Sequence, residues 1–153
     1  MKDRLPVIGV IGGGRVGKSE SKMAYEVGKL IALRGAILIC GGLGGVMEAA
    51  AKGATEADGM TVGILPGPDK NSANPYIKIP IATNMGHARN AIIAQASDGL
   101  IAVGGSYGTV SEMALALKMG KPVVALNPPC NLPNLRTAET PSQAVEMLFS
   151  KIS

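Results

Sequence analysis

Gly12-Gly13-Gly14-Arg15-Val16-Gly17-Lys18-Ser19, Gly41-Gly42-Leu43-Gly44-Gly45 and Gly104-Gly105-Ser106-Tyr107-Gly108-Thr109 share one layout. Each closes a short apolar run and opens a stretch of helical spacing. Strand, glycine loop and helix, three times over, predict a doubly wound parallel sheet: a Rossmann-like, three-layer α/β/α fold. Right-handed crossovers place all three loops at one edge of that sheet. Glycine lets main-chain N–H groups come close to a ligand. A helix beginning just behind adds unpaired donors and a partial positive charge. Together they predict a phosphorylated ligand.

Working outward, Pro6 to Ile11 reads as a buried strand, and Met23, Val27, Leu30 and Ile31 give the first helix its apolar stripe, ended at Arg34-Gly35. Ile37–Cys40 and Thr61–Leu65 are strands on either side of a helix over Val46–Ala57. Pro66–Pro75 is a long polar loop, of the kind that serves as a functional loop or lid. Tyr76–Ala82 reads as a strand weakened by Pro80, His87–Ala96 as a helix, Gly99–Val103 as a strand. A helix from Thr109 to Met119 leads to a strand at Val123–Leu126. The Pro-rich stretch Asn127–Thr137 reads as a connection. Thr140, Pro141 and Gln143 mark the start of the last helix.

The 153 residues make one domain, 1–153, with 46% hydrophobic and 17% charged residues. Aromatics are 3%, so the core is aliphatic. No apolar run reaches the roughly 20 residues of a membrane helix, and the N-terminal segment does not read as a signal peptide. Cys40 and Cys130 lack metal-site spacing, which predicts a reduced, cytoplasmic setting and no metal site. The net charge of +4 arises within residues 1–34, where seven Lys/Arg face three acids. That is a basic zone around the first loop, not the continuous stripe of a nucleic-acid binder. The segment Val110–Met119 is apolar nearly all round, predicting a helix that packs on the sheet and on a second subunit: a homodimer or higher homo-oligomer.

The first loop fits both G-x-x-x-x-G-K-S and G-x-G-x-x-G. A P-loop NTPase needs an acid at a strand end for Mg²⁺, and a Rossmann NAD site needs one after its second strand. None of the strands read above ends in Asp or Glu, so P-loop chemistry is the weakest reading. A milder one has Gly13, Gly14, Arg15 and Lys18 hold a ligand anion, with Gly41, Gly42 and Gly44 of the second loop. In the third loop, Thr109-Val110-Ser111-Glu112 is a capping box. Side chains lean toward a helix's N-terminus, so Glu112 also leans toward anything bound at the loop. Arg89 lies in the first turn of its helix, where the macrodipole disfavours a cation unless an anion or carboxylate faces it. His87 has no nucleophile to serve and reads as a helix-start residue.

These residues resemble a known family. Gly104 to Glu112 resembles the P-G-G-x-G-T-x-x-E motif of the Lonely Guy proteins, once misnamed lysine decarboxylases and in fact nucleoside 5′-monophosphate phosphoribohydrolases. His87-Ala88-Arg89 resembles part of their M-H-x-R-K motif, and Gly41 to Met47 their second glycine loop. The resemblance implies a Rossmann-like dimer. It implies a ligand phosphate on the N–H groups of Gly105, Ser106, Tyr107, Gly108 and Thr109, with the Thr109 hydroxyl. It implies catalytic roles for Glu112, at the ribose C1′ or on water, and for Arg89, orienting Glu112 or the departing base; glycosidic cleavage passes through an oxocarbenium-like state. Nothing marks the pyridoxal phosphate lysine of a decarboxylase. This chain has Gly104 for the motif's Pro, Ser106 for a glycine, Gly86 for the Met and Asn90 for the Lys. Those changes resemble the branch of the molybdenum cofactor carrier proteins, which bind a phosphorylated pterin. Two expectations follow: hydrolysis of a nucleoside 5′-monophosphate, or non-catalytic carriage of the pterin cofactor. Neither requires a resident cofactor; the expected occupant is a nucleotide or the molybdenum cofactor.

Overall fold

A computed structural model describes residues 3–152. Met1, Lys2 and Ser153 lie outside the described residues, and with them the start of the N-terminal segment and Lys2 of the basic zone. Seven strands form one parallel sheet in the order β4-β3-β2-β1-β5-β6-β7. They are β1 Val7–Gly12, β2 Ile37–Cys40, β3 Thr61–Leu65, β4 Ile79–Ala82, β5 Gly99–Val103, β6 Val123–Leu126 and β7 Arg136–Ala138. The helices are α1 Lys18–Leu33, α2 Val46–Glu56, α3 Arg89–Ala96, α4 Tyr107–Lys118 and α5 Pro141–Phe149. The doubly wound α/β architecture is as expected.

Strand alternation explains the layers. Ile8, Val10, Leu38, Cys40, Ile101, Val103, Val124 and Leu126 face α1, α2 and α5. Ile11, Ile39, Ile64, Leu100, Ala102, Val123 and Ala125 face α3 and α4. Central strands buried on both faces need continuous apolar runs, and β5 is buried at every residue. Helices α1 and α2 pack backbone to backbone: a Cβ at Gly28 would strike the Ala50 carbonyl, and one at Gly53 the Tyr25 carbonyl. Only glycine permits that approach.

The chain runs outward from β1 to β4, then returns to place β5 beside β1. The β1/β5 junction is therefore the switch point, whose C-terminal end is where open α/β sheets bind ligands. Loop 1 (β1 to α1) and loop 3 (β5 to α4) flank it; loop 2 (β2 to α2) is the next along.

Four local readings differ. Tyr76–Lys78 turns instead of extending, because the Tyr76 carbonyl accepts the hydroxyls of Thr55 (2.9 Å) and Thr61 (2.6 Å). The stretch Gly86–Ala88 is a 3₁₀ turn, so α3 starts at Arg89. The connection after β6 contains β7, which pairs in parallel with β6 from Arg136 to Ala138. Helix α4 starts two residues early, with Ser106 as N-cap and no side-chain cap bond, so the Thr109–Glu112 capping box does not form. At the last helix the prediction holds: Thr140 Oγ1 accepts the Gln143 N–H at 3.1 Å.

Candidate functional site

Loop 3 is shaped by two left-handed glycines, Gly104 (φ 55°) and Gly105 (φ 109°). A Cβ at Gly105 would strike the Thr109 side chain, and one at Gly104 the Glu20 carboxylate. Thr109 is buried against this turn; Ser106, Tyr107 and Gly108 are exposed, Tyr107 at 93%. The start of α4 thus presents uncapped main-chain donors at the switch point.

Loop 1 is different. Gly13, Gly14 and Gly17 all stay outside the left-handed region, so the loop lacks the alternating turn that curls a phosphate nest. Its Gly13 carbonyl instead accepts the Val46 N–H at 3.0 Å, capping α2 from outside. Arg15 and Lys18 project from it, exposed. Loop 2 is built into the body. Gly41 and Gly42 are buried, and the Gly42 carbonyl accepts the Asn74 N–H at 2.9 Å while Asn74 Nδ2 donates to Leu43 at 2.8 Å. The Pro66–Pro75 loop is pinned onto loop 2 through this asparagine.

Arg89 spans the gap between β2 and β3. Its Nη1 donates to the carbonyls of Gly41 (2.6 Å) and Ile64 (2.5 Å), and its buried Nε has no partner among the described residues. The expected carboxylate contact is thus replaced by main-chain carbonyls, although Glu112 is near enough for the two charges to stabilise each other. Burial raises the Glu112 carboxyl to about 7 and the Arg89 charge only partly offsets it. Burial likewise pushes the Cys40 thiol up to about 11.

The candidate residues do not share one hollow. Gly108 and Glu112 line a recess of about 240 Å³ with His87, Asn90, Ser111 and Leu115, on the α3/α4 side. Gly14, Arg15 and Lys18 line a larger cleft of about 790 Å³ on the α1/α2 side. Sequence reading missed Glu20 at Gly104, and it missed Tyr25 and Tyr76 in the larger cleft. Lys18, Lys22 and Tyr25 follow i, i+4, i+7 spacing, which was the available signal for a shared helix face.

The geometry has close counterparts. The molybdenum cofactor binding protein from the phototrophic bacterium Rippkaea orientalis is 40% identical, with a TM-score of 0.93 and 99% of each chain covered. The molybdenum cofactor carrier protein from Chlamydomonas reinhardtii is 41% identical, with a TM-score of 0.88 over 96% of this chain and 98% of that one. An uncharacterized protein from Archaeoglobus fulgidus is 53% identical over 96% of this chain and 97% of its own length. The model of the SLOG cluster4 family matches residues 5–151, and the chain belongs to that family.

Proposed function

We propose that this protein carries a phosphorylated pterin, the molybdenum cofactor, without turning it over. The observation that carries this reading is the uncapped start of α4 behind Gly104 and Gly105, at the switch point of a chain about two-fifths identical to proteins described as binding or carrying that cofactor. The phosphate lies on the N–H groups of Gly105 to Thr109, beside the Thr109 hydroxyl, where donors and helix dipole favour an anion. Loop 1, with Gly13 and Gly14, follows β1 on the other side of that switch point, and loop 2, with Gly44, follows β2 one strand further out. The protein works as a homodimer in the cytoplasm; no helix among the described residues is long and apolar enough to cross a membrane.

The geometry of the hydrolase reading supports it less well. A nucleoside hydrolase needs Arg89 free to orient Glu112 or the departing base, and the Arg89 Nη1 is committed to two carbonyls. What favours it is the half-buried Glu112 itself, titrating near neutrality in its recess.

Titration of the apo-protein with the cofactor, read by quenching or calorimetry, tests the proposal, with AMP turnover assayed in parallel. Saturable uptake with no free base or ribose 5-phosphate from AMP is expected. Base release from AMP that is lost in Glu112→Gln overturns carriage in favour of hydrolysis. Absence of cofactor uptake overturns it outright.

A further inference from the structure

The cleft of about 790 Å³ between the N-terminal halves of α1 and α2 is not needed to hold a single phosphate at loop 3. Its lining contains four cations, Arg15, Lys18, Lys22 and Lys52, and among the described residues that line it Glu48 is the one acid. We propose that this cleft is a second binding site, for a nucleoside 5′-diphosphate group.

The cations come from two facing helices in phase. Gly14, Lys18, Ser21, Lys22 and Tyr25 lie along one stripe of α1 and its approach. Gly45, Glu48, Ala49 and Lys52 lie along the matching stripe of α2. The two helices touch backbone to backbone further along, at Gly28 and Gly53, which fixes how the cleft opens toward their N-termini.

This arrangement is electrostatically unfavourable without an anion. Lys18 and Lys22 are like charges at i, i+4, and Arg15 and Lys18 sit at the positive end of the α1 dipole. Lys52 of α2 adds a third lysine across the cleft. A diphosphate, with more charge than a monophosphate and two separated phosphoryl groups, spans such a set better.

The size and walls fit the rest of a nucleotide. Volumes of roughly 300–1,000 Å³ hold a whole small-molecule ligand. Tyr25 and Tyr76 supply aromatic walls, the first tied by its hydroxyl and the second positioned through its main chain. The Tyr25 hydroxyl donates to Glu56 at 2.5 Å. The Tyr76 main chain is held by Asn74, Thr55 and Thr61. No strand-end acid is required, so binding does not depend on Mg²⁺.

The diphosphate belongs either to a free nucleotide or to the nucleotide half of a longer ligand whose other half lies in the β1/β5 crevice. Loop 1 borders both spaces. The second source rests on the carrier reading; the first does not.

Calorimetry with Mg²⁺-free ADP, AMP and inorganic phosphate at fixed ionic strength tests the proposal. ADP is expected to bind 1:1, at least about ten-fold tighter than AMP, and weaken with added salt. Lys22→Ala/Lys52→Ala is expected to lower ADP affinity by about ten-fold or more, with a melting temperature no lower than that of the parent protein, while Lys118→Ala on α4 leaves ADP affinity unchanged. Equal affinity for ADP and AMP, no saturable ADP binding, or insensitivity to the double substitution overturns it. Displacement of a dinucleotide form of the pterin by ADP identifies the longer ligand as the source; ADP binding alongside the cofactor identifies a free nucleotide. ADP binding in a protein that takes up no cofactor leaves this site standing and removes the carrier reading alone.

Discussion

The guanidinium of Arg89 donates to the buried carbonyl of Gly41 at 2.6 Å, tying the start of α3 to the end of β2 across the sheet edge. The same nitrogen reaches Ile64, at 2.5 Å. One side chain therefore satisfies two carbonyls that glycine loop 2 and β3 leave unpaired. Arg89→Met keeps an unbranched stem, removes the guanidinium and strands both acceptors. It is expected to lower unfolding free energy by roughly 2–4 kcal/mol, since hydrogen bonds from charged donors and buried unsatisfied acceptors each carry that order of energy. Urea denaturation checks this; a loss under about 0.5 kcal/mol, no more than an ordinary surface substitution, contradicts it.

Gly104 makes a second, separable case. Its φ of 55° is left-handed, and its missing Cβ leaves room for the Glu20 carboxylate. Gly104→Ala is expected to cost about 1–3 kcal/mol from backbone strain and displacement of Glu20 together. Adding Glu20→Ala should recover the displacement part and leave the strain. Additive costs in the double mutant would show that the two residues do not interact.

The Glu112 carboxyl carries a pH signature. Burial raises it from 4.5 to about 7, with Arg89 opposing. Between those values the folded state binds more protons than the unfolded one, so stability falls as pH rises through that window and stays lower above it. Glu112→Gln removes the effect. It should stabilise the protein at pH 8 by roughly 1–3 kcal/mol, discounted for residual solvent contact, and change little at pH 4. Parallel melts at both pH values decide it; equal shifts would contradict the burial of this carboxyl.

The two cysteines should separate by reactivity. Cys40 is buried and its thiol is raised to about 11, whereas Cys130 is exposed. The thiolate is the reactive species. A disulfide reagent is expected to modify one thiol promptly in native protein, with the second appearing only on denaturation. Loss of the prompt phase in Cys130→Ser confirms the assignment; two prompt thiols contradict it.

Most of the fold was legible because parallel strands buried on both faces need unbroken aliphatic runs, and Ile37–Cys40, Gly99–Val103 and Val123–Leu126 have them. Strand β7 was not: it has three residues, two of them exposed, and it exists because β6 offers an edge. Thr109 looked like a cap because the capping-box pattern is local, whereas the left-handed pair Gly104-Gly105 lets α4 begin earlier and buries Thr109 against the turn. The placement of the glycine loops at one sheet edge followed from strand–helix alternation. Their division between two hollows did not, because it depends on which face each helix covers: α1 and α2 one, α3 and α4 the other. Nor could spacing reveal that Arg89 Nη1 donates to two main-chain carbonyls.

The central claim is that a phosphorylated pterin is held, intact, at the start of α4. A crystal structure of the protein soaked with the cofactor tests it most directly. The account predicts the phosphate within hydrogen-bonding distance of the Gly105–Thr109 N–H groups, the ligand uncleaved, and no sugar carbon seated against Glu112. A phosphate bound elsewhere, or a cleaved ligand with its ribose C1′ beside the Glu112 carboxyl, would contradict it.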